Sequence, residues 1–505
     1  MQDSSKTSTG TAPTTIVTLH AIEHQCDVSG NWGTPTAHGN TAATRDVAQF
    51  LCGRPVDPGV DPSVHRSCVF FSAAAQGRLD VVRYLCELPA DRGVDPCHND
   101  NHAVQLAAEG GHLDVVRYLC ELPVDRGVDP SANGNLAVRW AARDGHLNVV
   151  RYLCELPVDR GVDPSVDGNY AVRLAAEYGH LDVVRYLYEL PADRGVDPSA
   201  HGNYAVRLAA KEGHLDVVRC LCEMPVDRGV DPSLHGNVAV ESAASGGHLD
   251  VVRYLCELPV DRGVDPSANG NYAVRRAAAN GHLDVVRYLC ELPADRGVDP
   301  SAHGNLAVQL AAVNGHLDVV RYLCELPVDR GVDPSVDGNY AVRGAAAQSH
   351  LDVVRYLCEL PVDRGVDPSA DGNLAVLSAA ADGHLDVVRY LCELPVDRGV
   401  DPSADDNSAV ASAATSGHLD VVRYLCELPV DRGVDPSPVA GMLAEDSIRI
   451  HSCTARYLRS TYCSGLRLWS RSPVEGIRQE ALTSLARSPL LVIRAIFRQR
   501  RAVLL

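Results

Sequence analysis

The sequence predicts an all-α protein, a solenoid of stacked helix–turn–helix repeats joined by shortened loops. Three observations carry this prediction. The segment Gly111–Cys120 returns every 34 residues, and self-similarity at a period of about 20–50 residues marks a repeat architecture. Within it the apolar residues fall on one helical stripe. The 505-residue chain is 46% hydrophobic yet holds only four Phe and three Trp. Its core must therefore be built from Ala, Val and Leu, which suits helices packed close together.

The segment Gly-His-Leu-Asp-Val-Val-Arg-Tyr-Leu-Cys starts at Gly111 and recurs, with minor substitution, at Gly145, Gly179, Gly213, Gly247, Gly281, Gly315, Ser349, Gly383 and Gly417. A variant starts at Gly77 with Arg78 in place of His, and a degenerate copy, Asp46–Cys52, keeps the frame, which makes twelve copies. Each unit reads as two helices. In the unit that begins at Asn169, this Asn is expected to cap the first helix, Tyr170–Ala176, by accepting from a free amide of its first turn. Asn holds that position in ten units, from Asn101 to Asn407. Gly179 permits the left-handed turn that ends the helix. The second helix, Leu181–Tyr188, presents Leu181, Val184, Leu187 and Tyr188 as its apolar stripe. Asp182 sits in its first turn, where the helix dipole favours negative charge. Pro191 closes it, and Gly195–Ser199 turns into the next unit. No unit can bury its stripe alone, so neighbours bury it for one another.

The ends differ. Residues 1–40 are Ser/Thr/Gly-rich and expected to be disordered, while the repeats fill residues 41–437. Residues 438–505 form a basic tail, a cap or short helices, with eleven Arg against four acidic residues. The whole chain carries a net charge of −19, so the part before the tail is near −26. Such a charge argues against nucleic acid as a partner, because phosphate neutralisation needs a basic surface. Eleven of the seventeen cysteines share one repeat position, from Cys52 to Cys426, and Tyr188 fills the remaining rung. Equivalent positions on stacked helices lie about 8–10 Å apart, whereas disulfides need Cα atoms within about 7 Å. The thiols therefore read as small buried hydrophobes. With Met1–Val17 lacking the features of a secretory leader, they point to a reducing, intracellular location, cytoplasmic or else nuclear.

The run Ala171-Val-Arg-Leu-Ala-Ala-Glu-Tyr-Gly-His-Leu-Asp-Val-Val-Arg-Tyr-Leu187 resembles the ankyrin repeat, with its Leu-Ala-Ala, two variable residues, Gly-His and an apolar helix. Gly433-Val-Asp-Pro-Ser437 and its copies resemble that family's Gly-Ala-Asp-Val-Asn turn. The resemblance covers residues 41–437. In two respects the chain departs from it. The family's Thr-Pro-Leu-His start is replaced by residues such as Tyr170-Ala-Val-Arg173. The stretch before the first helix is about three residues shorter than the family's, and the end of the second is about four longer. The resemblance thus implies an ankyrin-like solenoid whose β-hairpin fingers are reduced to bare loops. It further implies a non-enzymatic scaffold that binds a partner protein on the concave face made by loop tips and first helices.

Comparing the copies with one another locates that face. The second helix barely varies. Variation concentrates at the loop residue (Asn133, Asp167, His201), at the residue after the recurrent Asn (Leu136, Tyr170, Tyr204), and at the pair before Gly-His (Arg143 and Asp144, Glu177 and Tyr178, Lys211 and Glu212). These twelve residues are the candidate partner contacts, and Tyr and Arg are favoured interface anchors. Enzyme signatures are missing, so no catalytic residue, cofactor or metal is expected. One Gly-His histidine per unit, about 10 Å from the next, cannot close a tetrahedral metal site, and the Cys97, His98 and His102 group lacks metal-ligand spacing. Glu121, Asp125 and Asp129 recur in every typical unit and are expected to pair with Arg117 or Arg126 on a solvated edge. The alternative function is an adaptor of the ubiquitin-ligase type or a membrane tether. Both would use the basic tail, where Ser484-Leu-Ala-Arg followed by Ile493-Arg is similar to a SOCS box.

Overall fold

The computed structural model describes residues 62–88, 94–191, 194–224, 230–429 and residue 434. The expected disordered segment 1–40, the copy at Asp46–Cys52 and the tail 438–505 lie outside the described residues. Within them are 22 α-helices, short 3-10 turns and no strand, so the expected loss of hairpin fingers holds. The chain divides into two compact units, residues 1–239 and 240–505.

In the first unit the first helices of successive repeats are α1 (Pro62–Ala75), α3 (His98–Glu109), α5 (Ala132–Arg143), α7 (Val166–Glu177) and α9 (Ala200–Glu212). The second helices are α2 (Leu79–Glu87), α4 (Leu113–Cys120), α6 (Leu147–Glu155), α8 (Leu181–Glu189) and α10 (Leu215–Cys222). Each first helix packs on the next first helix, and each second helix on its own partner and on the next second helix. Helix α11 (Leu234–Gly246) carries the division. The second unit repeats the scheme. Its later first helices are α13 (Ala268–Ala279), α15 (Ala302–Val313), α17 (Val336–Ala347), α19 (Ala370–Ala381) and α21 (Ala404–Ser416). Its second helices are α12 (Leu249–Glu257), α14 (Leu283–Glu291), α16 (Leu317–Glu325), α18 (Leu351–Glu359), α20 (Leu385–Glu393) and α22 (Leu419–Glu427).

Small residues make this stacking close. Ala171, Ala175 and Ala176 of α7 are fully buried, as are Val183, Val184 and Leu187 of α8. Each such Leu or Val contributes roughly 1.5–3 kcal/mol by leaving water. The apolar stripe differs from the expected one at three positions. Val183 is buried, while Leu181 and Tyr188 are only half-buried. Leu181 opens its helix, so it stands at the rim, where its equivalents Leu317 and Leu351 line a groove between second helices. The cysteine rung is buried from Cys86 to Cys392 and half-buried at Cys426, and no described cysteine is in a disulfide. Desolvation pushes the thiols of Cys120, Cys154, Cys290, Cys324 and Cys358 up to about 12, so they remain neutral apolar filling.

Three polar side chains per unit stitch neighbouring repeats, and two of them overturn the sequence reading. Asn169 does not cap α7. It sits at φ 64, preceded by Asp167 and Gly168 in the same left-handed conformation. Its Oδ1 accepts from the backbone N–H of Asp197, 28 residues on, at 2.7 Å. The same bond recurs from Asn101 to Asn373. Asn tolerates left-handed backbone better than other chiral residues, and here the tight turn aims its amide at the next repeat instead of at its own helix. Arg126 does not pair with the recurrent carboxylates either. It donates to the carbonyls of Cys86 and Val94, at 3.1 and 3.4 Å, satisfying backbone acceptors around the end of the preceding second helix. Asp129 meanwhile accepts from the N–H and hydroxyl of Ser131 at 2.8 and 2.6 Å, and Arg117 stacks over Tyr152. The Gly-His histidine is structural: Nε2 of His146 donates to the Glu109 carbonyl, 37 residues back, at 2.8 Å.

Candidate functional site

Beneath the loops, the first helices build the variable face. The residue after each left-handed Asn starts the helix, and the residue three further on shares its face. In α5, α7 and α9 these pairs are Leu136 with Arg139, Tyr170 with Arg173, and Tyr204 with Arg207. Because each first helix lies against the next, the pairs interleave. Arg139 lies over the Tyr170 ring at 4.4 Å. Arg173 stands between Tyr170 at 5.1 Å and Tyr204 at 4.5 Å, and Arg207 is 5.1 Å from Tyr204. A guanidinium this close to a ring is attracted by the ring's quadrupole, by about 0.5–1 kcal/mol where exposed. Earlier in the chain, His102 bridges Phe71 and Trp140 at 5.2 and 6.5 Å, and Arg143 lies 5.9 Å from Trp140. The Nε atoms of Arg139, Arg173 and Arg207 are buried with no hydrogen-bond partner.

The twelve candidate residues fall into two states. Asn133, Asp167, His201, Tyr178, Lys211 and Glu212 are exposed, and Leu136, Arg143, Asp144, Tyr170, Glu177 and Tyr204 are half-buried. Several are already engaged. Arg143 bridges Glu109 and Asp144 at 2.7 and 2.8 Å. The hydrogen bond to Asp144, aided by Glu109, holds its guanidinium above the ordinary value. Lys211 pairs with Glu212 at 2.7 Å, which raises its ammonium likewise. Asp167 takes Arg139 at 2.7 Å. Tyr178 is 53% exposed and stands at the end of α7, away from the ring-and-cation row that Tyr170 and Tyr204 join. Comparing the copies overlooked Arg139, Arg173, Arg207, Trp140 and His102. The available signal was the Tyr-x-x-Arg spacing together with the variation of the Arg position itself, which holds Gln105, Glu241, Gln309, Leu377 and Ala411 in other copies.

The second helices present a contrasting surface. Arg83, Arg117 and Arg151 stack over Tyr118, Tyr152 and Tyr186 of the following repeat at 5.4 Å each. In the second unit, a groove of 560 Å³ is lined by Leu317, Arg321, Leu351, Asp352, Arg355 and Tyr356, and equivalent grooves lie against α14 and α22. Features repeated without change belong to the scaffold. Among the described residues no group of His, Cys, Asp and Glu is arranged to hold a metal ion, and no helix is long and apolar enough to cross a membrane.

Comparison with known proteins accords with this geometry. A family profile described as ankyrin repeats (3 copies) matches residues 37–132, 122–201, 174–269, 257–337 and 343–437. Among solved structures, the chain is similar to an ankyrin repeat family protein from Legionella pneumophila. The identity is 21% over 64% of this chain and 87% of that one, with a TM-score of 0.26. No curated protein sequence matches. Helical pairs at a 34-residue period, the Gly-His bond between repeats and a profile match spanning most of the sequence lead to one conclusion: this chain belongs to the ankyrin-repeat family.

Proposed function

We propose that the chain is a non-enzymatic scaffold that holds a partner protein on the concave, first-helix face of its repeats, centred on Tyr170 and Tyr204. Ankyrin repeats are generally protein–protein interaction modules and typically non-enzymatic. The observation that carries the reading here is the row of half-buried rings and guanidinium groups on α5, α7 and α9. Packing does not require it, since the same fold is built elsewhere without it. Aromatic and Arg side chains held rigid at a surface are what interface hot spots are made of.

A crosslinking pull-down from native extract tests the proposal, comparing the full chain with a Tyr170→Ala, Tyr178→Ala, Tyr204→Ala variant and with a 1–437 truncation. The expected result is a partner lost in the Tyr variant, by at least roughly tenfold in affinity, and kept by the truncation. A partner kept by the Tyr variant and lost in the truncation assigns the function to the basic tail, and with it to the adaptor or membrane-tether reading.

A further inference from the structure

Between successive repeats, one pair of positions 28 residues apart meets on the first-helix face, and its chemistry is complementary wherever it bonds. Arg139 meets Asp167 at 2.7 Å, Gln309 meets Asp337 at 2.9 Å, Asn269 donates to Glu241 at 2.7 Å, and Arg343 meets Asp371. At three places an Arg faces a histidine instead: Arg173, Arg207 and Arg275 have His201, His235 and His303 in register. Each His ring takes the seat of the missing carboxylate. His201 lies over Gly168 and His235 over Gly202, as Asp167 lies over Gly134 and Asp371 over Gly338. Imidazole supplies no anion to the guanidinium. Arg173 is left with the Asp167 carbonyl at 3.5 Å as its polar contact. Arg207 has Tyr204 and, among the described residues, no hydrogen-bond acceptor or carboxylate. Both have a buried Nε without a partner.

We infer that Arg173 with His201 and Arg207 with His235 form two adjacent carboxylate seats, filled by an extended acidic segment of the partner protein. The inference rests on the partner docking on the first-helix face. The chain's own solution at the equivalent sites identifies the ligand chemistry: Asp167 and Asp371 are carboxylates. Adjacent repeats are about 10 Å apart, and a segment in the extended polyproline II conformation rises about 3.1 Å per residue with three residues per turn, so two acidic residues three apart lie on one face at the matching spacing. The Tyr170 and Tyr204 rings hold the Arg173 guanidinium in place, so its Nη donors are pre-organised and binding costs little side-chain entropy. The net charge of −19 on the chain disfavours a long polyanion and suits a short acidic segment read locally.

The test uses the full-length protein and a fluorescein-labelled peptide containing Glu-Ser-Ser-Glu, followed by anisotropy at low ionic strength. The wild type is expected to bind it and to ignore the matching Gln-Ser-Ser-Gln peptide. His201→Asp with His235→Asp fills both seats from within and should weaken binding at least roughly tenfold. The fold is kept, because Asp already occupies this seat in other repeats. His303→Asp should leave binding unchanged. The inference is overturned by equal binding to the double Asp variant, by no binding to the wild type, or by single-stranded RNA binding with the same sensitivity to the double Asp change. A native partner lost in the Tyr170 and Tyr204 variant but kept by the double Asp variant would overturn the acidic seats and leave the scaffold reading intact. A partner kept by both would overturn the docking face itself.

Discussion

The first-helix face of residues 132–212 and that of residues 302–416 stand on the same core and carry different surfaces. In the earlier region Tyr170 and Tyr204 interleave with Arg139, Arg173 and Arg207, and Trp140 lies beside Arg143. In the later region the equivalent positions hold Leu306, Leu374 and Ser408 with Gln309, Leu377 and Ala411, and Tyr340 with Arg343 is an isolated pair. Beneath both, the buried Ala, Val and Leu are the same, and the Asn and His bonds between repeats recur at the same chain distances. Stability is therefore set by one layer and surface chemistry by another. The ring-and-cation row of the earlier region is not a by-product of folding.

If the two regions share a core, perturbing that core should affect both alike. The largest effect is expected from alkali. The thiols of Cys120 and Cys154 in one unit and of Cys290, Cys324 and Cys358 in the other are pushed by burial from 9.0 to about 12. A raised folded value means the stabilisation is complete below pH 9 and is lost as pH climbs towards 12. Each thiol then subtracts about 1.4 kcal/mol per pH unit. Circular dichroism melts from pH 8 to 10.5 should show a Tm that is flat to about pH 9 and falls steeply above it; a flat profile to pH 10.5 would mean the rung is hydrated.

Next in size, Leu187→Ala and Leu357→Ala, both fully buried, should each cost about 2–5 kcal/mol in urea unfolding, with closely similar values. A wide gap between them would break the claim of a common core. Asn169→Ala and Asn339→Ala should each cost about 2–3 kcal/mol, combining the strain of Ala in left-handed backbone with the lost bond to Asp197 or Asp367. If the cost shrank to a few tenths in one unit, the stitch would be dispensable there.

The smallest effect runs the other way. Ser349 replaces the turn glycine and sits at φ 64, at a position where the equivalent Gly315 leaves room for the His350 ring of the next repeat. Ser349→Gly should stabilise by about 1 kcal/mol, seen as a higher urea midpoint. No gain would mean the surrounding turn already absorbs the strain.

Much of this was legible in the sequence. The 34-residue period, the helix pair, the buried thiols and the glycine turns follow from periodicity and local chemistry, which a sequence displays directly. Asn169 and Arg126 were misread because their bonding partners lie 28 and 40 residues away, and local rules assign a polar side chain to its own helix or its own turn. Tyr170, Tyr204 and Asp167 were found because they vary between copies. The position of Arg139, Arg173 and Arg207 varies too, but what each Arg does depends on the ring and the loop residue of the neighbouring repeat, which reading each copy by itself does not pair with it. Arg173 is the same letter as Arg139, yet one faces His and the other Asp.

The bonds between repeats have a consequence for how this chain can change. They span fixed chain distances of 28, 32, 37 and 40 residues, each joining a repeat only to its neighbour. Removing or adding one whole block of 34 residues inside either unit preserves every such span, because each Asn, His and Arg finds the same atoms in the new neighbour. Any other increment disrupts all of them together. Length is thus quantised, and the order of rings, cations and loop residues along the face can be rewritten by copying and deleting blocks, with no new packing solution needed.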